Sequence, residues 1–194
     1  MLKKVYFYYL LSNNHILANS NSLPIGTEIL QPTVARGANL KTDIVAHLSD
    51  YIPLKFIDGS NKPVNKVDVA IAKLVTPNLA SFLIVGSSKI QGISTVNLND
   101  AVNKFGASTG FTQGSVITIG LTIVIPFSHN ESVLFQNQIK AKLYNSSGDS
   151  GSGVFNSTND IVGLLFAGSE GGKYGYFNDI NSVFKSMNLK LYNT

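Results

Sequence analysis

The chain has no cysteine, which excludes disulfides, thiol nucleophiles and thiolate metal sites. Its stability therefore has to come from packed cores alone. Histidine is nearly as scarce: His15, His47 and His129 are the full set, far apart and without the His-Glu-x-x-His spacing of a metal helix, so no catalytic metal is expected; no cofactor is expected either. No apolar stretch approaches the roughly 18 residues that suggest a membrane span. The fifteen lysines and arginines are dispersed and form no basic stripe with interleaved aromatics, so the net charge of +4 reads as solvation and no specific nucleic-acid partner is expected. Nor is there self-similarity at the 20 to 50 residue periods of solenoids.

The first eleven residues, Met1-Leu2-Lys3-Lys4-Val5-Tyr6-Phe7-Tyr8-Tyr9-Leu10-Leu11, have the basic start and apolar run of a secretion signal. Cleavage after that run falls beside or beyond His15, a residue that the chemistry below needs, so the run is read as a β-strand. The lack of a separable signal favours the cytoplasm over export.

What the chain does contain is β-forming residues in short apolar runs, punctuated by Gly, Asn, Ser and Pro. That pattern indicates an all-β protein, and 194 residues suffice for one domain or two small barrels. The turn-rich segments from Asn19 to Pro24 and from Asp58 to Pro63 read as surface loops. Only the end looks helical: Asp179 is placed to cap a segment in which Ile180, Val183, Phe184, Met187 and Leu191 recur at helical spacing. His47, within Ile44-Val45-Ala46-His47-Leu48-Ser49, reads as an ordinary strand histidine. His129 follows Pro126-Phe127-Ser128 and reads as a solvated loop residue.

The most informative stretch is Asn145-Ser146-Ser147-Gly148-Asp149-Ser150-Gly151-Ser152-Gly153-Val154. A Gly-Ser-rich turn is by itself more often a hairpin loop than an active site. Here, however, it displays one serine among small residues. A hydroxyl nucleophile needs a base, a group that orients the base, and donors for the developing oxyanion. Glycines around Ser150 free the backbone, so the amides of Gly148 and Ser150 can converge on one point as an oxyanion hole.

A base and an orienting acid stand upstream. Tyr9-Leu10-Leu11-Ser12-Asn13-Asn14-His15 runs from an apolar strand into a polar turn and puts His15 at a strand end. Lys66-Val67-Asp68-Val69-Ala70-Ile71-Ala72-Lys73-Leu74 carries Asp68 into an apolar, β-branched run. A carboxylate there is costly to bury unless paired, and the imidazole of His15 is the partner available. An α/β-hydrolase fails as an alternative, because its Gly-x-Ser-x-Gly elbow is absent, Ser152 standing at the last position, and because no histidine follows Ser150.

Three segments in the order His, Asp, Ser resemble the chymotrypsin-type (trypsin-like) serine peptidases. Leu11-Ser12-Asn13-Asn14-His15 is similar to that family's hydroxyl-x-x-His segment. Asp68-x-Ala70-Ile71-x-Lys73-Leu74 is similar to its Asp-x-Ala-Leu-x-Lys-Leu strand, and Gly148-Asp149-Ser150-Gly151 matches its Gly-Asp-Ser-Gly signature residue for residue. Asp68 follows His15 by 53 residues and precedes Ser150 by 82, intervals of the size that half of a double barrel requires. Ile161-Val162-Gly163-Leu164-Leu165-Phe166-Ala167-Gly168-Ser169 resembles the strand that lines the family's substrate groove. The chain looks like a cysteine-free member of bacterial style with a shortened N-terminus.

The resemblance implies two six-stranded-type antiparallel β-barrels, the first expected to be incomplete, and a C-terminal helix. The N-terminal barrel is placed at residues 1–85 with His15 and Asp68, a connection at 86–99, and the C-terminal barrel at 100–194 with Ser150. It implies a serine endopeptidase that works on a polypeptide substrate through a His15-Asp68-Ser150 triad and an acyl-enzyme. The implied substrate pocket has Tyr144 at its base with Phe166, Gly168 and Gly175 beside it. No acid stands at Tyr144, which argues against a Lys or Arg preference and for a small or apolar side chain.

Three departures accompany the resemblance. Only fourteen residues precede His15, where the family has a further strand or two, so the first barrel is expected to have an open edge covered by a partner or a missing segment. Asp149 lacks the freed N-terminus that pairs with its counterpart in digestive members, and needs another partner. Phe166 replaces a serine that often helps hold the triad aspartate. Two other functions stay open: a catalytically impaired scaffold or binding protein, and an autoprocessing domain.

Overall fold

A computed structural model describes residues 7–81, 83–84, 89–127 and 131–191; the N-terminal run before Phe7, Gly86 and His129 lie outside the described residues. The chain is mostly strand, in two sheets, with one C-terminal helix. In the first half, β1 (Tyr9–Ser12), β2 (Glu28–Leu30), β3 (Ile44–Tyr51) and β5 (Ala70–Leu74) form a four-stranded sheet in the order β1-β5-β3-β2. All its pairings are antiparallel. A one-turn helix, α1 (Asn14–Leu17), follows β1 directly. Alternation explains the sheet: Ala46 and Leu48 of β3 and Ala70 and Ala72 of β5 are buried, and close over Leu17, Ala18 and Leu74. His47, between two buried neighbours, is exposed opposite Lys73.

The second sheet is larger. It runs β11-β10-β9-β6-β7-β8-β4, from β6 (Ala101–Gly106), β7 (Gly110–Pro126), β8 (Ser132–Ala141), β9 (Gly153–Asn156), β10 (Ile161–Gly168) and β11 (Gly175–Asp179). An additional β11–β8 pairing closes it on itself, which removes one pair of exposed edges. The last member, β4 (Val64–Asn65), comes from the first half and lies parallel to β8. The two halves are thus joined by backbone pairing as well as by packing. The core of this sheet is Val102, Val116, Ile139, Ala141, Leu143, Val154, Val162, Leu165 and Phe177.

Two apolar clusters weld the halves together. Val67 and Val69 from the first half pack with Phe155, Ile161 and Leu164 and with the helix residues Ile180 and Val183. Leu54 packs with Val133, Phe135, Phe166 and Tyr176. Each such side chain contributes about 1.5–3 kcal/mol when fully buried, so the residues on both sides of Asp68 are anchored in a shared core. The expected connection is not a free linker: Ser94 donates to the Ile161 carbonyl at 3.1 Å, and Ile161 to that of Gly92 at 2.9 Å. The C-terminal helix, α2 (Ile180–Ser186), is capped by Asp179, whose carboxylate accepts from the Ser182 amide at 2.9 Å. It stops before Leu191, which the periodicity had included.

Candidate active site

Asp68 is fully buried just ahead of β5. Its Oδ2 lies 2.5 Å from Nδ1 of His15 and its Oδ1 accepts from the His15 amide at 3.2 Å. Both oxygens therefore serve one residue. The backbone of Asp68 is fixed on two sides: its carbonyl accepts from Asn13 Nδ2 at 2.9 Å, and its amide donates to Asn178 Oδ1 at 3.0 Å. Asn178, on β11, passes the constraint on through Nδ2 to Gln138 Oε1 at 2.6 Å, and Gln138 Nε2 donates to the Lys66 carbonyl at 2.8 Å. Asn178 and Gln138 are both wholly buried, so a polar crosspiece from the second sheet sets the position of the acid in the first.

His15 sits on α1, a helix too short to hold itself in water. Asparagines hold it instead. Asn14 Nδ2 donates to Asn21 Oδ1 at 2.7 Å and to the Ile52 carbonyl at 2.8 Å, while the Asn21 amide donates back to Asn14 Oδ1 at 3.0 Å. The Asn19–Pro24 loop thereby braces the histidine. The imidazole is about one fifth exposed and meets the ring of Phe127 edge-on at 5.8 Å, and Phe127 in turn meets Phe56 at 6.0 Å. Phe127 arrives from the far end of β7, so a strand of the second sheet walls the histidine of the first.

The serine turn is built as sharply as its sequence suggests. Gly148 and Gly151 both take positive φ, +96° and +86°, which a Cβ would strain. Gly151 packs so closely on the Ser12 side chain that a Cβ would collide with its Oγ. This contact presses the turn carrying Ser150 onto the corner where β1 leads into His15. The Asp149 amide donates to Ser146 O at 3.0 Å and the Gly151 amide to Leu165 O at 2.8 Å, whereas among the described residues the Gly148 and Ser150 amides donate to no protein acceptor. Two unspent donors flank the Ser150 hydroxyl. Ser150 Oγ donates to the Phe166 carbonyl at 3.5 Å, a long bond, and no hydrogen bond joins it to His15 among the described residues.

Asp149 has a partner that the sequence reading did not name. Its Oδ2 is 3.2 Å from Nζ of Lys104, a lysine with no exposed surface. Lys104 Nζ also donates to Thr109 Oγ1 at 2.5 Å, and that hydroxyl donates to Asp149 Oδ2 at 2.6 Å. The Ser108, Thr109 and Ser146 amides complete the shell at 2.8, 3.1 and 3.0 Å. Burial pushes the Asp149 carboxyl up, but the Thr109 hydroxyl and the Ser108, Ser146 and Thr109 amides outweigh it and lower the group from 3.8 to about 2. The signal for Lys104 was present in the alternation of β6, where Val102, Lys104 and Gly106 share the buried face.

Beside Ser150 opens a cavity of about 410 Å³, lined by Tyr144, Asn145, Ser147, Leu165, Gly168 and Gly172, among others. Of the residues expected at a substrate pocket, Tyr144 and Gly168 line this cavity. Phe166 and Gly175 do not line it. The Phe166 ring turns into the core 4.7 Å from that of Phe135, because alternation on β10 leaves only its carbonyl facing Ser150. Gly175 is buried behind Asn145, where a Cβ would come 3.1 Å from Leu165 Cδ1 and 3.4 Å from Asn145 Nδ2. Among the described residues no cluster of three or more metal-ligating side chains occurs, and no helix is long and apolar enough to cross a membrane.

No protein-family model matches the sequence, and none of the curated proteins matches it either. Solved structures do match. The chymotrypsin of Cellulomonas bogoriensis aligns over 95% of this chain and 85% of its own with a TM-score of 0.61 and 16% identity. Thermobifida fusca protease A aligns over 97% and 86% with a TM-score of 0.63 and 15% identity, and an α-lytic protease homologue, N4, over 98% and 88% with a TM-score of 0.63 and 16% identity. The chain thus has the fold of the chymotrypsin-like double β-barrel proteases. Its structural neighbours are bacterial serine proteases of that fold. At such identity the likeness establishes architecture, and the chemistry has to be argued from the residues.

Proposed function

We propose that this protein is a member of the chymotrypsin-type family and a serine endopeptidase, with His15, Asp68 and Ser150 as its catalytic residues. The observation that carries the reading is the pair of unspent amides, Gly148 and Ser150, flanking a hydroxyl whose turn is pressed onto the His15 corner. Ser150 Oγ rotates from the Phe166 carbonyl toward His15 and attacks a peptide carbonyl, and Nε2 takes its proton. Asp68, buried on Nδ1, holds the imidazole in the tautomer that leaves Nε2 as acceptor and stabilises the cation that forms. The tetrahedral oxyanion is met by the two amides, each donor worth on the order of 10² to 10³ in rate. His15 then returns the proton to the leaving amine, and water repeats the cycle on the acyl-enzyme. The residues 1–85 and 100–194 act in this reading as the two barrels, joined through 86–99, that bring base and nucleophile together.

A second reading is favoured by a specific observation. The missing His15–Ser150 hydrogen bond fits a protein that keeps the fold but binds peptides without cleaving them. Catalytic hydrogen bonds are often loose before substrate arrives, so this does not outweigh the first reading. Labelling with a fluorophosphonate separates the two, because the probe reports an activated serine without needing the substrate. Modification of the native protein that is lost in Ser150→Ala and strongly slowed in His15→Ala is expected; a folded native protein that stays unlabelled would sink the peptidase reading.

A further inference from the structure

We propose that the cavity beside Ser150 selects a primary carboxamide, glutamine or asparagine, in the substrate residue that supplies the scissile carbonyl. The inference rests on the peptidase reading above. None of the side chains lining the cavity carries a charge, so a lysine, arginine, aspartate or glutamate guest would lose water without gaining a counter-ion. The lining is nevertheless polar, and its polarity has a direction.

Asn145 sets that direction. Its Nδ2 donates to the carbonyls of Leu143 at 2.8 Å, Tyr174 at 3.0 Å and Gly172 at 3.3 Å. With three carbonyls around the nitrogen, the assignment of the amide is unambiguous, and Oδ1 is left on the opposite side. That oxygen accepts no hydrogen bond among the described residues and lies against Gly168, where a Cβ would collide with it. Asn145 and Gly168 both line the cavity, so the Gly168 wall presents a fixed acceptor to whatever enters. The complementary donor is close by: Ser169 Oγ already accepts from the Tyr174 amide at 3.1 Å, so its own proton is available to a guest. A carboxamide satisfies both, giving N–H to Asn145 Oδ1 and accepting from a lining hydroxyl. An aliphatic side chain would cover Oδ1 without satisfying it, a loss of roughly tenfold or more in kcat/KM.

The experiment has two arms. In the first, matched fluorogenic peptides carrying Gln, Asn, Leu, Tyr, Lys or Glu before the scissile bond are compared by kcat/KM on the native protein. A carboxamide advantage of about tenfold or more over every other side chain is expected; Leu, Tyr, Lys or Glu performing as well would overturn the assignment. In the second arm, acetylated tripeptides ending in the same residues are titrated into Ser150→Ala, which reads the pocket without catalysis. Tightest binding of the Gln or Asn peptide upholds the selectivity, and no preference among them overturns it. Absence of turnover by the native protein in the first arm, with the carboxamide preference retained in the second, would therefore count against the peptidase reading and not against the pocket.

Discussion

Two carboxylates, Asp68 and Asp149, are both withdrawn from water, one wholly and one with 1% of its surface left, and the structure treats them in opposite ways. Asp149 is saturated: a lysine ammonium, a threonine hydroxyl and three backbone amides converge on it. Its charge is spent on holding the serine turn. Among the described residues the Asp68 carboxylate receives hydrogen bonds from His15 only, through Nδ1 and the amide, and its remaining constraints act on its backbone. Its charge is left for the imidazole. A buried charge that does structural duty is surrounded, whereas one that must answer to a change in a neighbour's charge is positioned from behind and left with one partner.

The sharpest way to break the contrast is to neutralise Asp68. In Asp68→Asn the new amide would donate to Nδ1 and hold the wrong imidazole tautomer, so the rate of Ser150 modification is expected to fall about 10⁴-fold, the size this change has in chymotrypsin-type enzymes themselves. Melting should move little, because the backbone clamps from Asn13 and Asn178 remain. Stopped-flow acylation and a thermal scan check both halves of that statement.

Asp149 should behave the other way, losing stability before chemistry. Lys104→Met leaves a buried carboxylate with neutral donors only, at a cost of about 3 kcal/mol in urea unfolding. The pH dependence sharpens the point. The folded-state value of Asp149, about 2 against an ordinary 3.8, is a depression, so its contribution of about 2 kcal/mol is complete above the ordinary value and lost as pH falls from about 4 toward 2. Thr109→Val removes the hydroxyl that lowers it most. This variant is expected to be about 1 kcal/mol less stable than the native chain at pH 7, with the electrostatic part of that gap disappearing only as pH falls below about 2, the folded-state value of the native carboxyl.

The same contrast explains what was legible in the sequence. The nucleophile turn is local, ten consecutive residues whose glycines and acid announce a strained corner, and Asn145 through Val154 could be read directly. The all-β class and the Asp179 cap were legible for the same reason, since alternation and caps are short-range patterns. Lys104 lies 45 residues before Asp149; only the alternation of β6 hinted that it faces inward, and nothing in the chain said what it would meet. Asn178, Gln138 and Phe127 were silent. Their roles depend on β11 pairing with β8 and on β7 running seventeen residues to reach His15, which are facts of topology. For Phe166 and Gly175 the resemblance supplied positions along β10 and β11 but not which way each residue faces, and neither lines the cavity.

Phe127 offers the finest test, because its ring touches the imidazole and is remote from the Asp149 shell. An edge-on aromatic pair is worth about 1 kcal/mol beyond its buried area. Phe127→Leu keeps most of the apolar cover but gives up that geometry, so the rate of Ser150 modification should fall about fivefold, with the acid profile of stability unchanged. The decisive comparison is with Asp68→Asn. If Phe127 acts by steadying the imidazole, its loss should cost nothing further once the tautomer is already wrong, and the two effects will not add. If Phe127→Leu costs the same factor in both backgrounds, the ring serves the β7–β8 ribbon and not the histidine, and Asp68 alone orients the base.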